Sequence, residues 1–146
     1  PVANTAFLEI LGKLGIDPES SAAAVSCPIV SDGTYGGAMG PAQFMPSTWK
    51  LYEESISKVT GNNPPSPWNN ADAFSATALY LKDSIESKTC GNYSKQIPEQ
   101  SQMLRERCAA AQYYAGRNWY TYRFVYGEPV IVKANGFEKD IQVLNS

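Results

Sequence analysis

Tyr35-Gly36-Gly37-Ala38-Met39-Gly40-Pro41-Ala42-Gln43-Phe44-Met45-Pro46-Ser47-Thr48-Trp49 carries more information than any other segment of this chain. Its glycines call for backbone at positive φ, or for backbone that something else approaches closely. They fit a bare tight turn or a loop lying against a ligand. Gln43 offers a donor and an acceptor, and Met45 a soft apolar floor. Pro46 sits where a helix starts, with Ser47 or Thr48 available to cap it. The N–H groups of that first turn are free to donate. Such a set suits a neutral ligand rich in hydroxyl and amide groups, such as an aminosugar. It is neither a P-loop nor a dinucleotide fingerprint, and no Lys follows it as phosphate binding requires.

Working outward, residues 5–14 read as a helix with Phe7, Leu8, Leu11 and Leu14 on one apolar stripe and Gly15 as its stop. Residues 16–31 show no sustained period, and Asp17-Pro18 and Cys27-Pro28 mark turns. Asp32-Gly33 suits a tight hairpin turn. Beyond Pro46, Trp49, Tyr52, Ile56 and Val59 keep helical spacing until Gly61. A proline-rich loop leads to Asn69 or Asn70 as the next cap. Phe74, Ala78, Leu81 and Ile85 then form the expected buried stripe. Pro98 precedes a helix to about Tyr114 with Leu104, Cys108 and Ala111 inward, and Gly116 ends it. Trp119, Tyr120, Tyr122, Phe124 and Tyr126 alternate like a strand, but the segment is short and glycine-bounded and is expected to be an aromatic loop. Pro129 opens a last helix, where Val130, Ala134, Phe137, Ile141 and Leu144 repeat at four and three residues. Five helices and hardly any strand result. With 146 residues and no linker or repeat, a single domain over 1–146 is expected.

Composition narrows the chemistry. The chain contains no histidine, which excludes Ser-His-Asp and Cys-His catalysis and most zinc sites. Net charge is −2 with no basic run, so no nucleic-acid footprint is present. No apolar stretch approaches the roughly 18 residues that read as a membrane span. Charged residues are only 18%, against nine Tyr, five Phe and three Trp; such a low-charge, aromatic composition suits secretion and sugar contact, although most of these rings are expected in the core. The three cysteines make a pair and a remainder. Cys90 and Cys108 bracket a short turn-rich loop that a disulfide would pin, which implies an oxidising compartment. Cys27 then needs a partner outside the chain or stays a buried thiol. The chain starts at Pro1, with a core-facing pattern already under way by residue 7, and reads as one whose start has been removed.

The run Gly37–Trp49 resembles the signature of lytic murein transglycosylases of the membrane-bound lytic transglycosylase B type, in the lysozyme-like superfamily. Similar stretches are Phe7-Leu8-Glu9-Ile10, Leu14-Gly15-Ile16-Asp17-Pro18, Val25-Ser26-Cys27-Pro28, Pro67-Trp68, Asp72-Ala73-Phe74, Ala110-Ala111-Gln112-Tyr113-Tyr114-Ala115-Gly116 and Asp140-Ile141 with Leu144. The resemblance implies a mainly α, lysozyme-like helical globule with little or no β, acting on peptidoglycan glycan strands outside the cytoplasm of a bacterial-type cell. It implies cleavage of the MurNAc–GlcNAc β-1,4 bond to an anhydro-muropeptide by one Glu general acid, with no cofactor and no metal. Substrate contacts are implied for Thr34, Tyr35, Gln43, Phe44, Met45, Tyr114 and Tyr120, with core packing the alternative for Phe44 and Met45. Trp49 and Trp68 read as core.

The family's acid stands in a Glu-Ser pair before the stretch matching Phe7–Pro18, which places it upstream of Pro1. Glu19-Ser20 is the candidate within the chain, although it follows Asp17-Pro18 in a turn. Glu9 lies on the polar side of its helix and reads as solvated. The expectation is a cleft whose acid lies on an N-terminal segment, to which Cys27 can be linked. The alternative is a peptidoglycan-binding or assembly component that keeps the cleft without the acid. Ala115 stands where the family often has Asn, which removes a polar contact to the substrate's N-acetyl group.

Overall fold

Helix α1, Val2–Leu14, ends as the glycine predicts. Gly15 takes φ +66°. The N–H of Gly15 reaches the carbonyl of Gly12 at 3.3 Å, and that of Ile16 the carbonyl of Leu11 at 3.0 Å, the paired closure of a Schellman motif. The computed structural model describes residues 2–27 and 37–146. They form two compact units, 1–79 and 80–146. Among the described residues there is no strand, only the bridges Val25–Met39 and Met39–Phe44, and no helix is long and apolar enough to cross a membrane.

In the first unit, α1 buries Ala6, Ile10 and Leu11. Leu8, expected on the inward stripe, is about half exposed instead. Helix α2, Pro46–Thr60, begins on Pro46 itself, and Met45 in the capping position gives no side-chain bond. Ser47 and Thr48 lie inside the first turn, so the expected hydroxyl cap is absent. The proline lacks one of the N–H groups that a helix start would leave unpaired. Gly61, at φ +80°, closes the helix by donating to Ser57 O. Trp49 and Ile56 are fully buried, while Val59 is exposed. Ion pairs Glu9–Lys50 and Lys13–Glu53 tie α1 to α2.

Helix α3, Asn70–Glu86, is capped by Asn69, whose Oδ1 accepts from the Asp72 N–H at 3.1 Å. Its buried face is not the expected one. Asp72, Ala73, Ala76 and Ser84 are buried, whereas Phe74 is 59% exposed and Ala78 is exposed. The helical period holds, but its phase is rotated by about one residue. The carboxylate of Asp72 sets this phase: it accepts from Asn62 Nδ2 at 3.0 Å and from the Ser66 N–H at 2.9 Å, pulling the proline-rich loop over the helix start.

In the second unit, residues 90–92 are helical, not a loop. They belong to α4, Lys88–Ser94, whose cap Ser87 accepts from the Cys90 N–H. The Cys90–Cys108 disulfide joins α4 to α5, Ser101–Ala115, with Cα atoms 5.5 Å apart. Around it Cys90, Tyr93, Leu104 and Cys108 form a buried cluster with Trp119 packed on it. Helix α5 is buried through Arg107, Cys108, Ala109, Ala110 and Ala111, because its small side chains let neighbouring backbone come close.

The expected aromatic loop is also helical. A 3₁₀ turn Gly116–Asn118 leads into α6, Trp119–Tyr122, and then a π turn, Arg123–Gly127. Gly127 packs on α5 so closely that a Cβ there would lie 2.5 Å from the Arg107 carbonyl. Helix α7, Glu128–Leu144, follows, anchored by a Glu128–Arg107 ion pair. Its buried residue is Ile131. The predicted stripe faces outward: Val130 is partly exposed, Phe137 is 66% exposed and Leu144 84%. The anchor in the first turn, not the heptad spacing, sets which face meets the core.

Candidate functional site in the glycine-rich loop

The loop before α2 is a small closed device within the first unit. Met39 and Phe44 exchange backbone bonds, 2.9 Å from Met39 N to Phe44 O and 3.2 Å in return. Gly40-Pro41-Ala42-Gln43 forms the turn between them, closed by the Gln43 N–H on Gly40 O at 3.2 Å, with Pro at the second turn position where its fixed φ fits. Ser26 holds the segment that enters the loop: its N–H donates to Ala38 O, its carbonyl accepts from Gly37 N, and its Oγ accepts from Ala38 N. Gly40 is required twice over. Its φ is +64°, and a Cβ would stand 1.8 Å from the Pro67 carbonyl oxygen. The segment that presses on it is also tied down, because Trp68 Nε1 donates to Ala24 O at 2.8 Å.

The floor of this device is apolar. Met39 and Phe44 are buried, and Phe44 meets Trp49 edge-to-face at 5.8 Å. The Trp49 Nε1 has no hydrogen-bond partner among the described residues, so packing alone holds that ring. Gln43 sits at the exposed rim at φ +55°, a left-handed conformation that a side-chain-bearing residue adopts at a cost. Its Nε2 donates to Gly40 O at 2.8 Å. One amide hydrogen is thus spent on the loop, which leaves the second N–H and the carbonyl oxygen for a ligand. Met45 is half-buried between rim and floor.

The remaining candidate residues are scattered. Thr34, Tyr35 and the Asp32-Gly33 turn lie outside the described residues. Glu19 is exposed in a turn closed by Asp17, whose Oδ1 accepts from Glu19 N at 3.0 Å and whose carbonyl accepts from Ser20 Oγ at 2.7 Å. Glu9 is exposed, and its ion pair with Lys50 holds its carboxyl below the usual range. Cys27 is a free, exposed thiol, so the buried-thiol alternative falls. Trp68, read as core, is only half-buried.

Tyr114 and Tyr120 both lie in the second unit and belong to separate ring groups. Tyr114, 52% exposed, stacks on Tyr126 at 4.4 Å and meets Tyr122 edge-to-face at 5.3 Å. Tyr120, 49% exposed, lies beneath the Arg123 guanidinium at 3.6 Å and against Tyr93 and Trp119. Each presents a braced aromatic surface, of the kind that offers contact area at low entropic cost. Ser26, Met39, Pro67 and Asp72 build the loop, but the sequence reading gave them no role in it. Asp72 carries a local signal, three residues after its cap Asn69, where an acidic side chain favours a helix start.

Comparison with curated proteins and with solved structures returns no significant match. The closed loop, the helix it feeds and the helices that follow as far as Val125 do have a counterpart. The family model described as the transglycosylase SLT domain, a lysozyme-like all-helical fold, matches residues 6–125, and on that span the chain belongs to the transglycosylase SLT family.

Proposed function

We propose that the chain is the glycan-holding body of a peptidoglycan lytic transglycosylase of the membrane-bound lytic transglycosylase B type, acting outside the cytoplasm. The observation that carries this reading is the Met39–Phe44 closure, which presents Gln43 at an exposed rim over an apolar floor. Neutral hydrogen bonding over apolar surface is what an N-acetylated sugar demands. Gln43 and Met45 contact the sugars next to the scissile bond, with Thr34 and Tyr35 preceding them in the same segment. Phe44 serves as the floor. Tyr114 and Tyr120 supply aromatic faces. The Cys90–Cys108 bridge agrees with an oxidising compartment.

The chemistry proposed is one proton out and one proton back. A carboxylic acid protonates the leaving O4 of GlcNAc as the C1–O4 bond breaks. The 6-hydroxyl of MurNAc then bonds to C1 and returns its proton to the carboxylate. No water is consumed, and the product is the 1,6-anhydro sugar. Such an acid works from an apolar pocket that favours its neutral form. Glu19 lies in solvent and Glu9 is paired with Lys50. Asp72 is the buried carboxylate among the described residues, and both its oxygens are already bonded. None of these three carboxylates meets that requirement, and the acid is assigned to a residue other than these three. On this reading the chain binds glycan strands without Glu19 serving as the acid.

Incubation of the chain with purified sacculi and with chitooligosaccharides tests this. Binding without release of anhydro-muropeptides is expected, unchanged in Glu19→Gln. Gln43→Ala is expected to weaken glycan binding about fivefold, the worth of roughly one net hydrogen bond. Lysis by the chain that disappears in Glu19→Gln would overturn the assignment of the acid.

A further inference from the structure

The second unit contains a pocket whose lining includes none of the candidate residues named above, although its wall residue Trp119 packs on Tyr120. Its volume is about 450 Å³, and Tyr80, Thr89, Gln112, Gly116, Arg117 and Trp119 line it. That volume falls within the range of small-molecule sites, about 300–1,000 Å³. Gln112 and Tyr114 are two apart on α5, so they point to nearly opposite sides of the helix, and the pocket lies away from the Tyr114 ring group. Its walls are braced. Thr89 precedes the disulfide-bonded Cys90, and Gln112 stands one turn beyond Cys108. Trp119 packs on the buried cluster around the bridge, and Tyr80 meets Tyr113 edge-to-face at 5.4 Å.

We propose that this pocket is a secondary site for an aminosugar bearing a carboxylate, a muramic-acid unit of the glycan strand, and this rests on the peptidoglycan reading above. The lining dictates the ligand class. Two aromatic side chains offer apolar surface to a sugar ring. Thr89 and Gln112 supply neutral hydrogen bonding. Arg117 is the charged group, exposed and without an ion pair among the described residues. Its guanidinium presents a planar fork of donors matched to a carboxylate. The contrast is the pocket lined by Lys13, Glu53, Glu54 and Ser57 with three loop residues. There the lysine is already neutralised by Glu53 at 2.6 Å, so no cation is left for an anion. In the strand the carboxylate comes from one of two sources, the lactyl group where the peptide is absent, or the stem peptide where it is attached.

Amide and indole NMR titrations of the 146-residue chain at low salt test the site with three probes. These are N-acetylmuramic acid, a muramyl dipeptide whose charge sits on the peptide, and neutral chitotetraose. The acidic probes are expected to shift the Trp119 indole, Thr89 and Gln112. Arg117→Gln is expected to weaken them about tenfold, with the spectrum otherwise unchanged because Arg117 is on the surface. Chitotetraose is expected to shift residues around Gln43 and to be indifferent to Arg117. Response to N-acetylmuramic acid alone assigns the lactyl carboxylate, and response to the dipeptide as well admits the stem. If the acidic probes leave Trp119 unmoved, or bind equally well to Arg117→Gln, the site is refuted while shifts around Gln43 keep the peptidoglycan reading. If no probe shifts either region, that reading fails as well.

Discussion

Two segments of this molecule, 37–45 and 116–127, each start on a glycine and carry residues proposed to face sugars, yet they fold by opposite means. The first is held by backbone: reciprocal bonds between Met39 and Phe44, a turn closed on Gly40, and a carbonyl pressed where a side chain would otherwise be. The second is held by rings: Tyr114 on Tyr126, Trp119 on Tyr93, Arg123 over Tyr120. A backbone-built segment is rigid at the atom where it touches its neighbour and intolerant of one added methyl. A ring-built segment spreads its stabilisation over many contacts, each replaceable.

The sharpest way to break that comparison is Gly40→Ala. Positive φ and a 1.8 Å approach to Pro67 O act together, and a loss of about 4 kcal/mol or more is expected, at the exceptional end for a single substitution. Denaturant unfolding measures it, and a loss below half of that would mean the loop relaxes away from Pro67. Next comes the disulfide. Cys90 and Cys108 are 18 residues apart, and replacing both with alanine should cost about 3 kcal/mol from the unfolded chain's freedom, read as a lower denaturation midpoint. Gly127→Ala tests the ring-built segment at its tightest backbone contact, 2.5 Å from Arg107 O. Its φ is −57°, so only the clash operates, and about 2 kcal/mol is expected as α6 and the π turn shift off α5.

The smallest effect lies on the surface, away from both segments. Lys50 lowers the Glu9 carboxyl below its ordinary 4.5 by hydrogen bonding and by charge. A carboxyl lowered in the folded state adds stability above the unfolded value, and that stability is lost as pH falls through the folded value. Lys50→Met should therefore melt slightly below the parent at about pH 7, with the gap closing as pH falls below 4.5. A gap that persists unchanged at low pH would show that Lys50 acts by packing.

What could be read beforehand follows the same division. The extent of α2 was legible because Pro46 and Gly61 act through their own backbone preferences. The paired cysteines were legible as a pair and a remainder. The loop's need for glycine and its two physical reasons were legible, but not the partner, since Pro67 arrives from a distant part of the chain. The alternation at 119–126 misled because aromatic side chains suit a strand's pleat as well as a helix surface, and a π turn has no signal in single residues. For the candidate site, Gln43 and Met45 were put forward from residue type. Ser26 and Asp72, which hold the neighbouring backbone, were not, because an ordinary Ser or Asp becomes a clasp only when its partners arrive.

Local chemistry alone determined the stops of α1 and α2 at Gly15 and Gly61, and that no imidazole could take part. Tertiary structure decided which face of α3 and of α7 meets the core. Periodicity measures the spacing of apolar residues but not their phase, and phase is set by contacts made elsewhere, by Asp72 on the proline-rich loop and by Glu128 on Arg107. It also decided that Gly40 could be nothing else, since the oxygen that excludes a side chain belongs to another segment.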